Sequence, residues 1–302
     1  RFESQNVAFD NSNYYLHYRL TFPTVADEGG ANSMQISEVE ILGVQGPTDV
    51  TQPGDVLIAS SDNSPGSEGV ANAIDNQPTK YLNFDKVNTG FTVTPGVGGT
   101  IVTGLSLQSA NDAPERDPAS YTLEGSFDGS SFFEIASGDI PAFDDRFQTR
   151  YVFFENSRAF ASYRLIFPTV ANEDGANSMQ IAEVEFLGRA AELPQDVTQP
   201  GDAIMASSDN SPGSEGVANV IDNQPTKYLN FDKLDTGFTV TPGVGITWVT
   251  GLTIQSANDA PERDPATYLL EGSNDGGVNF TEISSGDVPA FAERFQTNTI
   301  LF

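Results

Sequence analysis

The sequence predicts an all-β protein built as tandem antiparallel β-sandwiches, and three observations predict it. Short runs rich in Val, Ile, Phe and Tyr alternate apolar with polar residues, as half-buried strands do. Clusters of Gly, Pro, Asn and Asp separate these runs at the spacing of sandwich turns. No window sustains an apolar stripe of helical period over three turns.

The strand signals follow one another through the middle of the chain. Val102–Ser109 (VTGLSLQS) comes after the turn text TPGVGG. Ser120–Ser126 (SYTLEGS) follows NDAPERDP and alternates Tyr121 and Leu123 with polar neighbours, which gives it one buried face. SFDGSS then turns the chain into Phe132–Ser137 (FFEIAS), and Arg150–Glu155 (RYVFFE) is next. Ser162–Pro168 (SYRLIFP) alternates Tyr163, Leu165 and Phe167 with polar or solvent-facing positions. Gln180–Gly188 (QIAEVEFLG) closes the series, with Val184 and Phe186 set against Glu183 and Glu185.

These elements repeat. The signature RFxxxxxxF occurs at Arg1–Phe9, Arg146–Phe154 and Arg294–Phe302. DVTQPGD begins at Asp49 and at Asp196, and Tyr18–Gly43 returns as Tyr163–Gly188 with few changes. One intact unit therefore spans 49–188. A second, 196–302, lacks its last strands, and residues 1–43 carry a segment of that missing kind. The connections Val44–Thr48 and Arg189–Gln195 read as short surface linkers. The start at Arg rather than Met suggests a processed chain or an excerpt of a longer one.

Composition narrows the function classes. The chain has 302 residues, enough for two domains with cores of their own. A net charge of −28 repels phosphates and anionic lipid, so nucleic acid and membrane surfaces are poor partners. No apolar run is long enough to span a bilayer. Such acidity suits a saline or calcium-rich exterior, or serves solubility alone. The absence of Cys removes disulfides, thiol catalysis and thiolate metal sites.

IDNQPTKYLNF, the YTLEGSxDG strand-turn and the closing YRLxFPTV…EVExLG together resemble the discoidin-like family. Its galactose-binding jelly roll is shared by coagulation-factor type C domains and family 32 carbohydrate-binding modules. SANDAPERDPA looks like a branch found in large bacterial secreted or surface proteins. Two departures stand out: Tyr81 and Tyr228 replace the usual Trp, and Asp75-Asn76 replaces the usual Asp-Gly. The resemblance implies a calcium site where the AIDNQPT loop meets the Glu-Val-Glu strand. Asp75, Thr79 and Glu183 would be its ligands in the intact unit, and Asp222, Thr226 and Glu38 their counterparts. Hard oxygen donors of this kind suit calcium. The competing reading is a turn stabilised by Asp75 and a solvated Glu183.

Enzymatic machinery is not expected. His17 is the single histidine and its repeat counterpart is Ser162, so a shared catalytic base is missing from one copy. The carboxylate pairs Asp144/Asp145 and Glu183/Glu185 have no cleft evident in the sequence. A glycan site would draw on Asn111 and Arg116, or Asn258 and Arg263, in loops stiffened by prolines, with Tyr81 or Tyr228 as an aromatic face. Its rival is an internal Arg–Asp pair that only fixes the loop. Trp248 reads as core or interface, and the Asn279 sequon carries little information.

The incomplete 196–302 unit must find its missing strands or expose apolar edges. Closure within the chain, strand addition between copies, and excerpting from a longer array are all open. The recurrence of residues 1–9 at 294–302 favours the array. The expected function is thus a non-catalytic extracellular structural or adhesive protein. Calcium-stabilised units would join copies of itself head to tail in a fibre or cell-surface array, with glycans as further partners. The alternative is a carbohydrate-binding appendage of a secreted glycan-degrading enzyme.

Overall fold

A computed structural model describes residues 7, 11, 14, 15 and 17–302. Among them the helical segments are four short 3-10 turns, and everything else regular is strand, as expected. The chain divides into two compact units, residues 1–193 and 194–302. The first copy of the signature, Arg1–Phe9, lies outside the described residues except for Val7.

The first unit is a complete antiparallel sandwich. One sheet orders β1 (Thr48–Asp49), β11 (Glu183–Ala190), β5 (Thr100–Gln108) and β8 (Thr149–Phe153). The other orders β2 (Val56–Ala59), β4 (Thr89–Thr94), β9 (Ser162–Phe167), β6 (Ser120–Ser126) and β7 (Phe133–Asp139). A ribbon of β3 (Tyr81–Asn83) and β10 (Met179–Ile181) completes it. β2, β3 and β4 fall in Gly/Asn-broken text and are additions to the strands read from sequence.

The inward faces supply the core. Leu123 on β6, Leu165 on β9, Leu105 and Leu107 on β5 and Phe186 on β11 are fully buried. Phe91 and Phe186 meet edge-on across the sandwich with ring centroids 6.2 Å apart, and Tyr163 lies 5.8 Å from Phe186. Such tilted pairs add about 1 kcal/mol each beyond area burial. Tyr163 keeps its phenol satisfied inside: it donates to the Thr100 carbonyl and accepts from the Thr100 hydroxyl at 3.0 Å. Burial pushes that phenol up to about 12.

The last strands hold the unit together. β9 lies between β4 and β6, pairing Leu165 with Phe91 on one side and with Leu123 on the other. β11 lies between β1 and β5, pairing Phe186 with Leu105. Backbone approach is tightest at Gly90, where a Cβ would stand 2.0 Å from the Leu165 carbonyl oxygen. The pairing of Thr48 with Gly188 brings the unit's entry beside its exit.

The second unit repeats the local structure without those strands. β12 (Ala203–Ala206) pairs only with β13 (Phe238–Thr241), and β14 (Gly251–Gln255) only with β17 (Thr297–Leu301). β15 (Thr267–Gly272) pairs only with β16 (Thr281–Asp287). Three two-stranded ribbons stand where the first unit has joined sheets. Phe91 is 1% exposed, and its counterpart Phe238 is 42% exposed. Left-handed backbone recurs at matching positions, Asn76 with Asn223 and Phe147 with Phe295, so the turns form without the sheets.

Residues 17–45 form no strand, contrary to the strand-like alternation of YRLTF and EVEILG. A strand needs a neighbour for its backbone groups, and this segment has none among the described residues. Trp248, expected in core or interface, is 90% exposed, because its β5-like position has no covering strand.

Candidate functional site

Two loop clusters of the first unit carry the predicted chemistry. In the first, Asp75 ends a 3-10 turn and its carboxylate organises the loop that follows. Its Oδ1 accepts the Gln77 amide at 2.8 Å, and its Oδ2 accepts the Thr79 hydroxyl at 2.5 Å. Asn76, left-handed at φ 56°, turns its amide toward β11, where it donates to Glu183 Oε2 at 2.9 Å. The structure therefore brings Asp75, Thr79 and Glu183 together. Burial is the main cause that pushes the Glu183 carboxyl up to about 8, with the charges of Asp75, Glu185 and Asp49 adding to it.

The Asp75 carboxylate accepts both of its hydrogen bonds from within its own loop, as an Asx-type turn does, and Glu183 brings a second carboxylate beside it. Glu183 sits half-buried beside a second carboxylate, with one backbone amide to offset the charge. Among the described residues no group of three or more His, Cys, Asp or Glu side chains is arranged to hold a metal ion. A cation here would rest on two carboxylates, the Thr79 hydroxyl and loop carbonyls.

In the second unit Asp222 repeats the loop, accepting the Gln224 amide at 2.8 Å and the Thr226 hydroxyl at 2.5 Å. The Asn223 amide has no carboxylate partner among the described residues, and Glu38 is exposed. Asp222 and Thr226 of the implied second set meet within this loop.

The second cluster is the loop SANDAPERDPA. Ala113 adopts φ 45° and starts a single 3-10 turn, Pro114–Arg116. Three fastenings hold it. Lys80 Nζ reaches Asp112 Oδ1 at 2.8 Å and Gln180 Oε1 at 3.2 Å. Gln180 Nε2 donates to the Asp112 and Ala113 carbonyls. Arg146 grips Asp117 with both terminal nitrogens, Nη1 to Oδ1 at 2.8 Å and Nη2 to Oδ2 more closely. The Lys80 hydrogen bond holds the Asp112 carboxyl below the usual carboxylate range. Burial lifts Asp117 above it, though the Arg146 hydrogen bonds pull the other way.

This corrects two sequence expectations. The internal Arg–Asp pair exists, but its arginine is Arg146 from the RF signature. Arg116 makes no ion pair among the described residues, and its Nε is buried without a hydrogen-bond partner. Tyr81 is no aromatic face: it is fully buried, and its hydroxyl donates to the Gly90 carbonyl at 3.2 Å. Tyr228 is half-buried and accepts from Asn230. Asn111 is exposed at the start of the loop. The second unit keeps the same clamp, Arg294 on Asp264 at 2.9 and 2.6 Å, with Lys227 on Asp259 at 2.8 Å, beside Asn258 and Arg263.

Sequence reasoning missed Arg146, Arg294, Lys80 and Lys227. The threefold RF signature was the signal that could have found the arginines, since two of its copies fasten a loop some 30 residues upstream.

The two sheets and the loops that join them define an antiparallel β-sandwich. No family model matches the chain. A 43-residue stretch is 54% identical to a peptide-N(4)-(N-acetyl-beta-glucosaminyl)asparagine amidase of Arabidopsis thaliana; it covers 14% of this chain and 6% of that protein. Among solved structures, the chain is similar to CpGH89CBM32-5 from Clostridium perfringens, determined with GalNAc-β-1,3-galactose. The match has 23% identity and a TM-score of 0.38, covering 46% of this chain and 98% of the other. It is also similar to the family 32 module of C. perfringens NanJ, determined with galactose, at 14% identity and TM-score 0.35 over 42% and 90% of the two chains. A third is the family 32 module of Streptococcus pneumoniae EndoD, at 10% identity and TM-score 0.39 over 47% and 100%.

Proposed function

We propose that each unit is an extracellular glycan-binding module whose recognition loop is SANDAPERDPA, with calcium as its structural ion. The observation that carries this reading is the release of Arg116. Because Arg146 already neutralises Asp117, the Arg116 guanidinium is placed by a fastened loop and paired with no carboxylate. A preordered, unpaired planar donor is suited to vicinal sugar hydroxyls and loses little entropy on binding. Exposed Asn111 adds a donor and an acceptor beside it. The resemblance of the motifs to the galactose-binding jelly rolls supplies the ligand class.

Asp75, Thr79 and Glu183 would hold the calcium and tie the loop to β11, with Asp222, Thr226 and Glu38 as the second set. The ion supplies positive charge between two carboxylates and no reaction chemistry. A location outside the cell agrees with the acidic composition, which a saline or calcium-rich exterior would screen.

Glycan-array binding by the full chain tests the reading. The double variant Arg116→Ala/Arg263→Ala is expected to lose binding while keeping its melting temperature. Undiminished binding by that variant rules the loop out.

A further inference from the structure

The RF signature sets a phenylalanine beside its arginine, and the clamp on the loop uses only the arginine. Phe147 follows Arg146, and Phe295 follows Arg294. Both phenylalanines adopt left-handed backbone, at φ 57° and 59°. A bulky side chain is an outlier in that region, because its Cβ crowds the following carbonyl. Neither ring is buried deeply enough to explain the strain: the two side chains are 42% and 44% exposed.

The strained turn is fastened on both sides. The Phe147 amide donates to the Ser109 carbonyl at 3.1 Å. Ser109 is fully buried; its hydroxyl donates to the Asp145 carbonyl at 2.9 Å and accepts the Gln148 amide at 3.0 Å. Gln148 Oε1 in turn accepts the Asp144 amide at 2.7 Å. The second unit repeats this frame. Ser256 donates to the Glu293 carbonyl and accepts the Gln296 amide, both at 3.0 Å, and Gln296 Oε1 accepts the Ala292 amide at 2.6 Å.

The frame sets the phenylalanine beside the loop SANDAPERDPA. Ser109 opens that loop, two residues before exposed Asn111. Arg146 Nη1 donates to the Ala110 and Asp112 carbonyls, on either side of Asn111, at 3.4 and 3.1 Å. The Phe147 backbone therefore borders the stretch that carries Asn111. The loop has no aromatic residue of its own, and Tyr81 is buried, so an aromatic face must come from a neighbouring turn. Left-handed outliers that a rigid surround enforces concentrate at ligand sites.

We propose that Phe147 and Phe295 are the apolar platforms of the two recognition loops, each stacking on the C–H face of a pyranose ring. Asn111 or Asn258 engages the hydroxyls of the same ring. The inference rests on the glycan-binding reading and adds to it the platform residue and the ligand class, a cyclic sugar with one apolar face. A ring fixed in advance on a fastened turn loses little entropy when the sugar docks.

The probe is a printed glycan array, read with the full chain. Phe147→Leu/Phe295→Leu keeps apolar bulk and removes the rings. It is expected to weaken binding about tenfold, the scale of one aromatic contact, at an unchanged melting temperature. Phe147→Tyr/Phe295→Tyr keeps the rings and is expected to bind as the parent chain does. Undiminished binding by Phe147→Leu/Phe295→Leu overturns the platform, and so does lost binding by Phe147→Tyr/Phe295→Tyr. A fall in melting temperature with Phe147→Leu/Phe295→Leu assigns the rings to packing and overturns it as well. Binding lost by Arg116→Ala/Arg263→Ala yet kept by Phe147→Leu/Phe295→Leu removes the platform alone and leaves the loop reading standing. A parent chain that binds no glycan on the array removes both.

Discussion

Arg146 closes on Asp117 through two parallel hydrogen bonds, and this pair fixes the loop that leaves Arg116 unpaired. Asp117 is buried, so the guanidinium is what makes its charge tolerable there. Arg294 and Asp264 repeat the arrangement on the second unit.

Removing one partner strands the other. Arg146→Ala is expected to lower the stability of the first unit by about 3 kcal/mol, as for other half-broken buried pairs. Urea unfolding should show it. Arg146→Lys is expected to recover only part, since an ammonium makes no two-pronged contact. Glycan binding should fall with both, because the loop loses its fastening.

Burial pushes the Glu183 carboxyl up to about 8 in the folded unit, against 4.5 as its ordinary value. The folded state therefore holds a proton that the unfolded state has released between those two values, and stability falls as pH rises through that window. In chelator the melting temperature should drop from pH 5 to pH 8. Under the proposed calcium reading the ion takes the proton's place, so adding it should remove the drop and raise the melting temperature most at the alkaline end. Glu183→Gln is expected to flatten both responses. A chelated protein whose melting temperature is independent of pH would contradict the site.

Gly90 and Gly237 are repeat counterparts in different surroundings. At Gly90 a Cβ meets the Leu165 carbonyl at 2.0 Å, whereas at Gly237 nothing lies within 4 Å. Gly90→Ala should destabilise the first unit by about 1–3 kcal/mol, the range for overpacked positions. Gly237→Ala is expected to leave the melting temperature unchanged, as thermal unfolding would show.

Much of the fold was legible in the strand text. Tyr121 and Leu123, or Val184 and Phe186, alternate with polar neighbours, and alternation of period two fixes which side faces inward. The loop at Asp75 was legible too, since Asx-type turns are local and form even in the unit that lacks its sheets. Arg146 was not: its partner lies 29 residues away, and only the path of the chain through β6 and β7 brings them together.

The sequence by itself determined the strands, the turns and the repetition, because each depends on a few neighbouring residues. The tertiary structure alone decided which like sequences become like structures. SYRLIF at 162–167 is a buried strand because β4 and β6 flank it, and YRLTF at 18–22 is not a strand, having no strand partner among the described residues. The tertiary structure also decided that Tyr81 is core rather than surface, and that the RF arginine rather than Arg116 carries the ion pair. Backbone pairing and burial are long-range, so identical side chains acquire different roles according to what stands beside them.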